Sequence, residues 1–505
     1  MLFNSIEFIF LFLPAAVVLH FYAARYGRLA AVTATSCSSL LFYSWWNPPF
    51  LLLPVTSILV NFCLARAILT DTPARAWYTM VAGICLNLAA LVYFKYANFL
   101  LAAVENTSIV AQDVPLALSF TTFVQIAFLT EVWHARRRVQ LADYTLFVSL
   151  FPHLIAGPIV RWNELSPQIK DPSRFKPNLD NIALGLTIFS LGLAKKVLLA
   201  DSLSGHVGRV FDAAANGFPV TGAAAWGASV AYSLQLYFDF SGYSDMAVGI
   251  GLLFNFELPI NFAAPLRATS IIELWRRWHI TLSRFLRDFV YIPLGGNAYG
   301  PRRRGFNLFL TMVVGGLWHG ANWTFIAWGA LQGVLLIVNH SWRVILGDRK
   351  LPRWAGGIGW FLTFASFAVG MTLFRSANIS SAAVMLKAMA FLDTASAEVV
   401  LGSTADSWGI EHGYISADFV RTWFGNTWTV VATITTAAVL MVALFIPDTM
   451  ELVGYRVGEP HADWRRQHLL PKWHPSLGWA LVVVGLFAVV FANLNSFSEF
   501  LYYQF

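Results

Sequence analysis

Two histidines stand in this chain where apolar neighbours give little reason to keep an ionisable group. His319 lies in GGLWHGANW (315–323), between FNLFLTMVV and TFIAWGALQGVLLIV, and neither flank contains a charge. An ionisable group at membrane depth is costly and rare, which makes it a functional candidate by default. A neutral imidazole can take the proton of an attacking hydroxyl near neutral pH, and the oxygen can then attack a thioester carbonyl. The competing reading is a packing histidine, hydrogen-bonded between helices. Asn322 comes one turn later, on the same face if the helix continues. There it could orient the ring, stabilise an oxyanion or simply cap a helix.

His279 lies in LWRRWHITLS (274–283). Ile271, Trp275, Trp278, Leu282, Phe285 and Phe289 recur at spacings of four and three, which predicts one amphipathic helix along a cytoplasmic interface. Arg276, Arg277, Arg284 and Arg287 gather opposite, with Glu273 among them, and His279 falls on the border of the two faces. On the plain reading the arginines anchor the helix at the membrane. On the sharper one, Arg276 and Arg277 bind the phosphates of a ligand. Lys195 and Lys196, adjacent in LGLAKKVLLAD, must point in different directions on a helix, one snorkelling and the other meeting an anion. Asp239 and Asp245, in YFDFSGYSDMA, need partners if buried, and structural ion pairing is the favoured role.

The elements that must position these groups follow from composition. Of 505 residues, 57% are hydrophobic and 12% charged, about half the charged share of a soluble domain. Apolar runs of membrane-spanning length recur along the chain, without the ten-residue alternation of a barrel. The expectation is an all-α, polytopic integral membrane protein with about eleven hydrophobic segments, including re-entrant and interfacial helices. The first run, about Ile6 to Tyr22, is followed by Arg25 and Arg28 and preceded by no basic residue, which predicts a retained helix with the N-terminus outside. Basic loops at 134–140, 301–305, 343–353 and 455–472 predict cytoplasmic faces, and the acidic segment at 393–424 an outside one. The net charge of +7 therefore reflects orientation rather than nucleic-acid binding. Cys37, Cys63 and Cys85 lie in apolar segments, against a disulfide framework, and no metal-ligand spacing, Walker motif or dinucleotide loop is present.

Two stretches break the simple pattern. Residues 142–160 join two basic regions and contain Pro152, Gly157 and Pro158, which predicts a broken or re-entrant element with His153 near its bend. The stretch between PRRRG and RVILGDRK fits a hairpin of two helices turning near HGAN. The chain reads as one transmembrane domain, 1–505, with N-terminal helices at 1–140, a catalytic core at 141–345 and C-terminal helices at 346–505.

The runs QLYFDFSGYSDMAVGIGLLFNFELPINFAAP (235–265), LWRRWHITLSRFLRDFVYIPLGGN (274–297) and NLFLTMVVGGLWHGANWTFIAWG (307–329) together closely resemble the membrane-bound O-acyltransferase family, in its bacterial alginate and peptidoglycan O-acetyltransferase branch. MLFNSIEFIFLFLP, LLFYSWWNPPFLLL, FPHLIAGPIVR and LGLAKKVLLADSL extend the resemblance over roughly the first two-thirds of the chain. It implies that His319 is the catalytic histidine and His279 a second functional one. It further implies an acetyl-CoA donor, an extracytoplasmic partner acetyltransferase, a polysaccharide acceptor and a bacterial inner-membrane location. The alternatives are transfer to another acceptor (D-alanine to teichoic acid, or acyl to lipid) and a transporter. Gln332 stands in WGALQG where many relatives carry histidine, and is given no role; NFAAPLR lacks the tyrosine that often follows the proline.

Overall fold

Every regular element among the described residues is helical. The computed structural model describes the chain except residues 46, 106–114, 116, 155–156, 348, 350, 353, 392–425, 458–472, 495–500 and 502–505, and the side chains of 102–105 and 426–430. The predicted acidic segment at 393–424 and most of the basic loop at 455–472 thus lie outside the described residues.

In chain order the helices are α1 (Leu13–Ala24), α2 (Arg28–Ser44), α3 (Leu52–Thr70), α4 (Pro73–Leu91), α5 (Ala97–Glu105), α6 (Leu118–Ala135), α7 (Leu141–Ser149), α8 (Phe151–Leu154) and α9 (Trp162–Lys170). They continue with α10 (Leu179–Ala194), α11 (Asp201–Ala215), α12 (Gly222–Leu253), α13 (Ile271–Arg277), α14 (Ile280–Leu286), α15 (Gly300–His319), α16 (Trp323–Leu346), α17 (Trp354–Arg375) and α18 (Ile379–Phe391). Asn426–Phe445, Thr449–Val453 and Leu477–Ala492 follow. Starts are written in the sequence: Pro73 and Pro301 sit in first turns, where a missing N–H costs nothing, and Thr221, Ser270 and Asn322 cap helices with their side chains.

Among the described residues six stretches are long and apolar enough to cross a bilayer: Pro48–Thr70, Pro73–Leu101, Leu179–Ala215, Trp323–Leu346, Trp354–Arg375 and Val431–Val453. Phe8–Ala24, Ile379–Phe391 and Leu477–Ala492 are shorter apolar helices. Large apolar side chains such as Leu52, Phe361 and Leu477 point outward, as a lipid-facing surface requires. Cys37, Cys63 and Cys85 are free and exposed on that surface. The chain is an all-α, multi-pass membrane protein.

The centre is α12, buried along nearly its whole length. Its backbone meets that of α10 closely: a methyl group on Gly192 would lie 2.6 Å from the Gly242 carbonyl oxygen, and one on Gly242 equally close to that of Gly192. With no hydrophobic drive between helices in lipid, such small-residue contacts supply van der Waals packing instead. The break predicted in 142–160 is present, since α7 ends at Ser149, α8 is one short turn, and His153 Nε2 bonds the Phe147 carbonyl at 2.8 Å.

One expectation is corrected. Residues 271–289 do not form a single interfacial helix, because the helix stops after Arg277 and restarts at Ile280. Trp278, Leu282 and Phe285 do face protein, so the apolar stripe is real. His279 is fully buried, not on a border, and adopts the left-handed conformation at φ +45°. Periodicity cannot register a left-handed residue that re-aims the chain in mid-helix.

Candidate active site

The predicted hairpin is α15 and α16, turning at Gly320–Asn322. The two helices approach on glycine. A methyl on Gly316 would strike the Phe325 carbonyl oxygen, and one on Gly329 the Met312 carbonyl oxygen. His319 is the last residue of α15, and the chain turns extended at Gly320. Its buried ring is walled by the rings of Trp318 at 5.0 Å, Trp328 at 5.2 Å and Phe374 at 5.0 Å, all steeply inclined to it. Because the helix ends there, Asn322 does not share a helical face with His319, contrary to the continued helix of the sequence reading. Asn322 is the cap of α16: its oxygen accepts from the Thr324 N–H at 3.1 Å, and its NH2 donates to the Ala377 carbonyl at 2.8 Å.

His279 lies on the other side of Trp318, ring to ring at 6.2 Å, in an aromatic box with Phe240 at 4.8 Å and Phe262 at 6.4 Å. One indole is thus shared by both histidines. What holds His279 in its left-handed turn is Asn261. The Asn261 side-chain oxygen accepts from the Thr281 N–H at 3.3 Å and the Thr281 hydroxyl at 3.0 Å, and its backbone carbonyl accepts from Ile280 at 2.9 Å. The same side-chain oxygen faces His279 Nδ1 at 3.0 Å. An oxygen receiving a backbone N–H is an acceptor, so Nδ1 carries the proton and Nε2 presents its lone pair. Nε2 is buried and has no partner among the described residues.

The remaining predicted residues sit elsewhere. Lys195 pairs with Asp245 at 2.8 Å and Asp448 at 2.5 Å, and Lys196 with Asp201 at 2.7 Å and Asp239 at 2.8 Å. Neither lysine snorkels, and both anions that each meets belong to the chain itself. The two aspartates of α12 take the structural pairing expected of them. Arg276 is exposed, while Arg277 pairs with Glu273 at 2.7 Å. Arg284 pairs with Glu164 at 2.8 Å, so part of the arginine row ties elements together rather than facing a ligand.

Two residues escaped the sequence reading. A helix leaves its last four carbonyls without partners. For α15 these belong to Gly316 through His319. Tyr96 donates its hydroxyl to the Leu317 carbonyl at 2.5 Å. Lys95 donates to the carbonyls of Trp318 at 2.7 Å and His319 at 2.9 Å, and approaches the Ser119 hydroxyl at 3.4 Å. A cation there also complements the helix dipole. The signal available in the sequence was a lone lysine inside the apolar run ALVYFKYANFLL. The carbonyls it holds, more than two hundred residues away, were not legible.

Comparison with known proteins bears on this geometry. Residues 52–377 match the model of MBOAT, the membrane-bound O-acyltransferase family. The chain is 40% identical over 436 residues to the peptidoglycan O-acetyltransferase of Helicobacter pylori, covering 78% of this chain and 80% of the relative. It is 35% identical to the probable alginate O-acetylase AlgI of Pseudomonas syringae pv. tomato over the full length of both. The teichoic acid D-alanyltransferase of Streptococcus thermophilus is more distant, 27% identical over 51% of this chain and 68% of its own. The matched region contains both histidines, Asn261, Lys95 and the entire hairpin.

Proposed function

We propose, for a chain that belongs to the membrane-bound O-acyltransferase family, that it is an O-acetyltransferase that takes acetyl from cytoplasmic acetyl-CoA and moves it across the bacterial inner membrane for O-acetylation of an extracytoplasmic polysaccharide. The observation that carries the reading is His319, a buried imidazole at a broken helix end with a second histidine across one shared indole. The acetyl branch is supported over D-alanylation by the higher identity and coverage of its relatives.

His319 acts as general base. It takes the acceptor hydroxyl's proton as the oxygen attacks the thioester carbonyl, then returns it to the departing thiolate. Both reactants are held together in a water-poor pocket, which replaces a bimolecular encounter by a positioned one. His279, its Nε2 lone pair fixed by Asn261, accepts a hydrogen bond from the same hydroxyl and aims it. Exposed Arg276 and, at the same basic face, Arg277 meet the phosphates of coenzyme A. A partner acetyltransferase outside receives the acetyl group and passes it to the glycan.

The test is sidedness. Inside-out membrane vesicles from the native host, deleted for the chromosomal gene and carrying either the wild-type chain or none, are given acetyl-labelled acetyl-CoA or labelled D-alanine with ATP. The proposal expects acetyl label on base-labile esters inside the lumen, only where the chain is present. D-alanyl label instead, or acetyl label from right-side-out vesicles alone, would overturn it.

A further inference from the structure

Two hydrogen-bond donors on α16, the helix whose Trp328 walls His319, are buried without a partner among the described residues. Trp328 and Gln332 lie one turn apart on α16 and are 2% and 1% exposed. The Trp328 indole N–H and the Gln332 side-chain NH2 are buried and without a partner among the described residues. A buried donor left unpaired carries its full desolvation cost, so a pair of them in one place calls for an explanation.

The orientation of Gln332 is fixed by chemistry. Its amide faces the indole nitrogen of Trp275 at 3.3 Å. An indole nitrogen only donates, so the end of the amide facing it must be the oxygen. The NH2 end is therefore turned away from Trp275. The position a Gly370 side chain would occupy shows where it points: a methyl there would lie 2.6 Å from Gln332 Nε2 and 3.6 Å from Trp328 Nε1. Both donors therefore face the bare Cα of Gly370 on α17, where any side chain would crowd them. Trp328 also forms one wall of the His319 pocket, and Phe374, one turn beyond Gly370, another.

The geometry points to Trp328 and Gln332 as a donor pair that binds the acyl carbonyl oxygen and holds it as it becomes an oxyanion. Resting on the acyl-transfer reading above, it assigns these residues a step. The acceptor oxygen forms its bond to the acyl carbon while its proton passes to His319, and the carbonyl π electrons move onto the oxygen held by the two N–H groups. Collapse of that intermediate restores the C=O bond and breaks the C–S bond, and the thiolate leaves with the proton from His319. Preorganised donors aimed where charge develops favour the transition state over the bound thioester. They are also costly in the empty protein, and a bound carbonyl oxygen would offset that cost.

That last point gives the experiment. Trp328→Phe removes one N–H and keeps a ring. Gln332→Met removes the other donor, together with the oxygen that Trp275 donates to, and Gly370→Ala presses a methyl against both donors without deleting either. Each is assayed in native-host membranes with acetyl-labelled acetyl-CoA, per molecule of folded protein, alongside thermal unfolding in detergent and a His319→Gln control. The inference expects the apparent kcat of each to fall, by about 100-fold for a lost oxyanion donor, with KM for acetyl-CoA within about twofold. Trp328→Phe should unfold at or above the wild-type temperature, since an unpaired buried donor is gone, and Gln332→Met close to it, since it also takes the acceptor from the Trp275 indole N–H. Loss of activity with matching loss of stability would make these residues packing and overturn the inference. So would full kcat in Gln332→Met or Gly370→Ala while His319→Gln is inactive, which leaves the acyl-transfer reading standing. Full activity in His319→Gln would remove that reading first, and this one with it.

Discussion

The charged cluster on α12 and the aromatic pocket at the end of α15 both bury polar groups, and they treat them in opposite ways. Around α12, Lys195 and Lys196 each hold two carboxylates within 2.8 Å. Around α15, His279 Nε2, Trp328 Nε1 and Gln332 Nε2 are buried with no partner among the described residues. The first arrangement binds α10, α12 and the segment at Asp448 into one body. The second leaves a lone pair and two N–H groups without partners among the described residues, which a substrate could complete. In the proposed reading, the ion-paired groups hold the fold and the unpartnered ones at the end of α15 await a substrate.

The sharpest way to break that comparison is Asp245→Asn. Lys195 keeps Asp448 as its counter-charge, so the loss is one charge-assisted hydrogen bond in a buried cluster, about 1.5–3 kcal/mol, read as a drop in thermal unfolding temperature in detergent. Turnover per folded molecule should stay near wild type. Unchanged stability with lost turnover would place the cluster in the chemistry and dissolve the distinction. Next comes Lys95→Met, which frees the Trp318 and His319 carbonyls and lets the end of α15 move. Misplacement of a catalytic group by a fraction of an ångström should lower kcat by ~10-fold, with partial recovery in Lys95→Arg. An unaltered kcat would mean the carbonyls are held well enough without it. The smallest effect belongs to Arg276→Ala. Being exposed, it should raise the KM for acetyl-CoA by about threefold, leaving kcat alone. A change in kcat instead would move Arg276 from donor binding into the reaction.

The parts of the fold set by local chemistry were legible. Glycines around HGAN predicted the hairpin and its turn, and Pro152, Gly157 and Pro158 the break after α7. His319 was conspicuous because an apolar run isolates it. What could not be read depends on partners distant in sequence. The left-handed turn at His279 is imposed by Asn261, eighteen residues earlier, and helical periodicity averaged it away. Lys95 caps α15 from the N-terminal helices, 224 residues from His319. One of Lys195 and Lys196 was expected to meet an anion, and the carboxylates that Lys195 meets, Asp245 and above all Asp448, are remote in sequence. Gln332 received no role, since a neutral amide announces nothing until Trp275 fixes which end of it is free.

The central claim is that His319 is the base and not a packing residue, and the most direct measurement compares His319→Gln with wild type. Native-host membranes containing equal amounts of each folded protein would receive acetyl-labelled acetyl-CoA, with label followed into base-labile esters. The account predicts a loss of at least ~100-fold in kcat, with the unfolding temperature close to wild type. Equal turnover by the two proteins would contradict it.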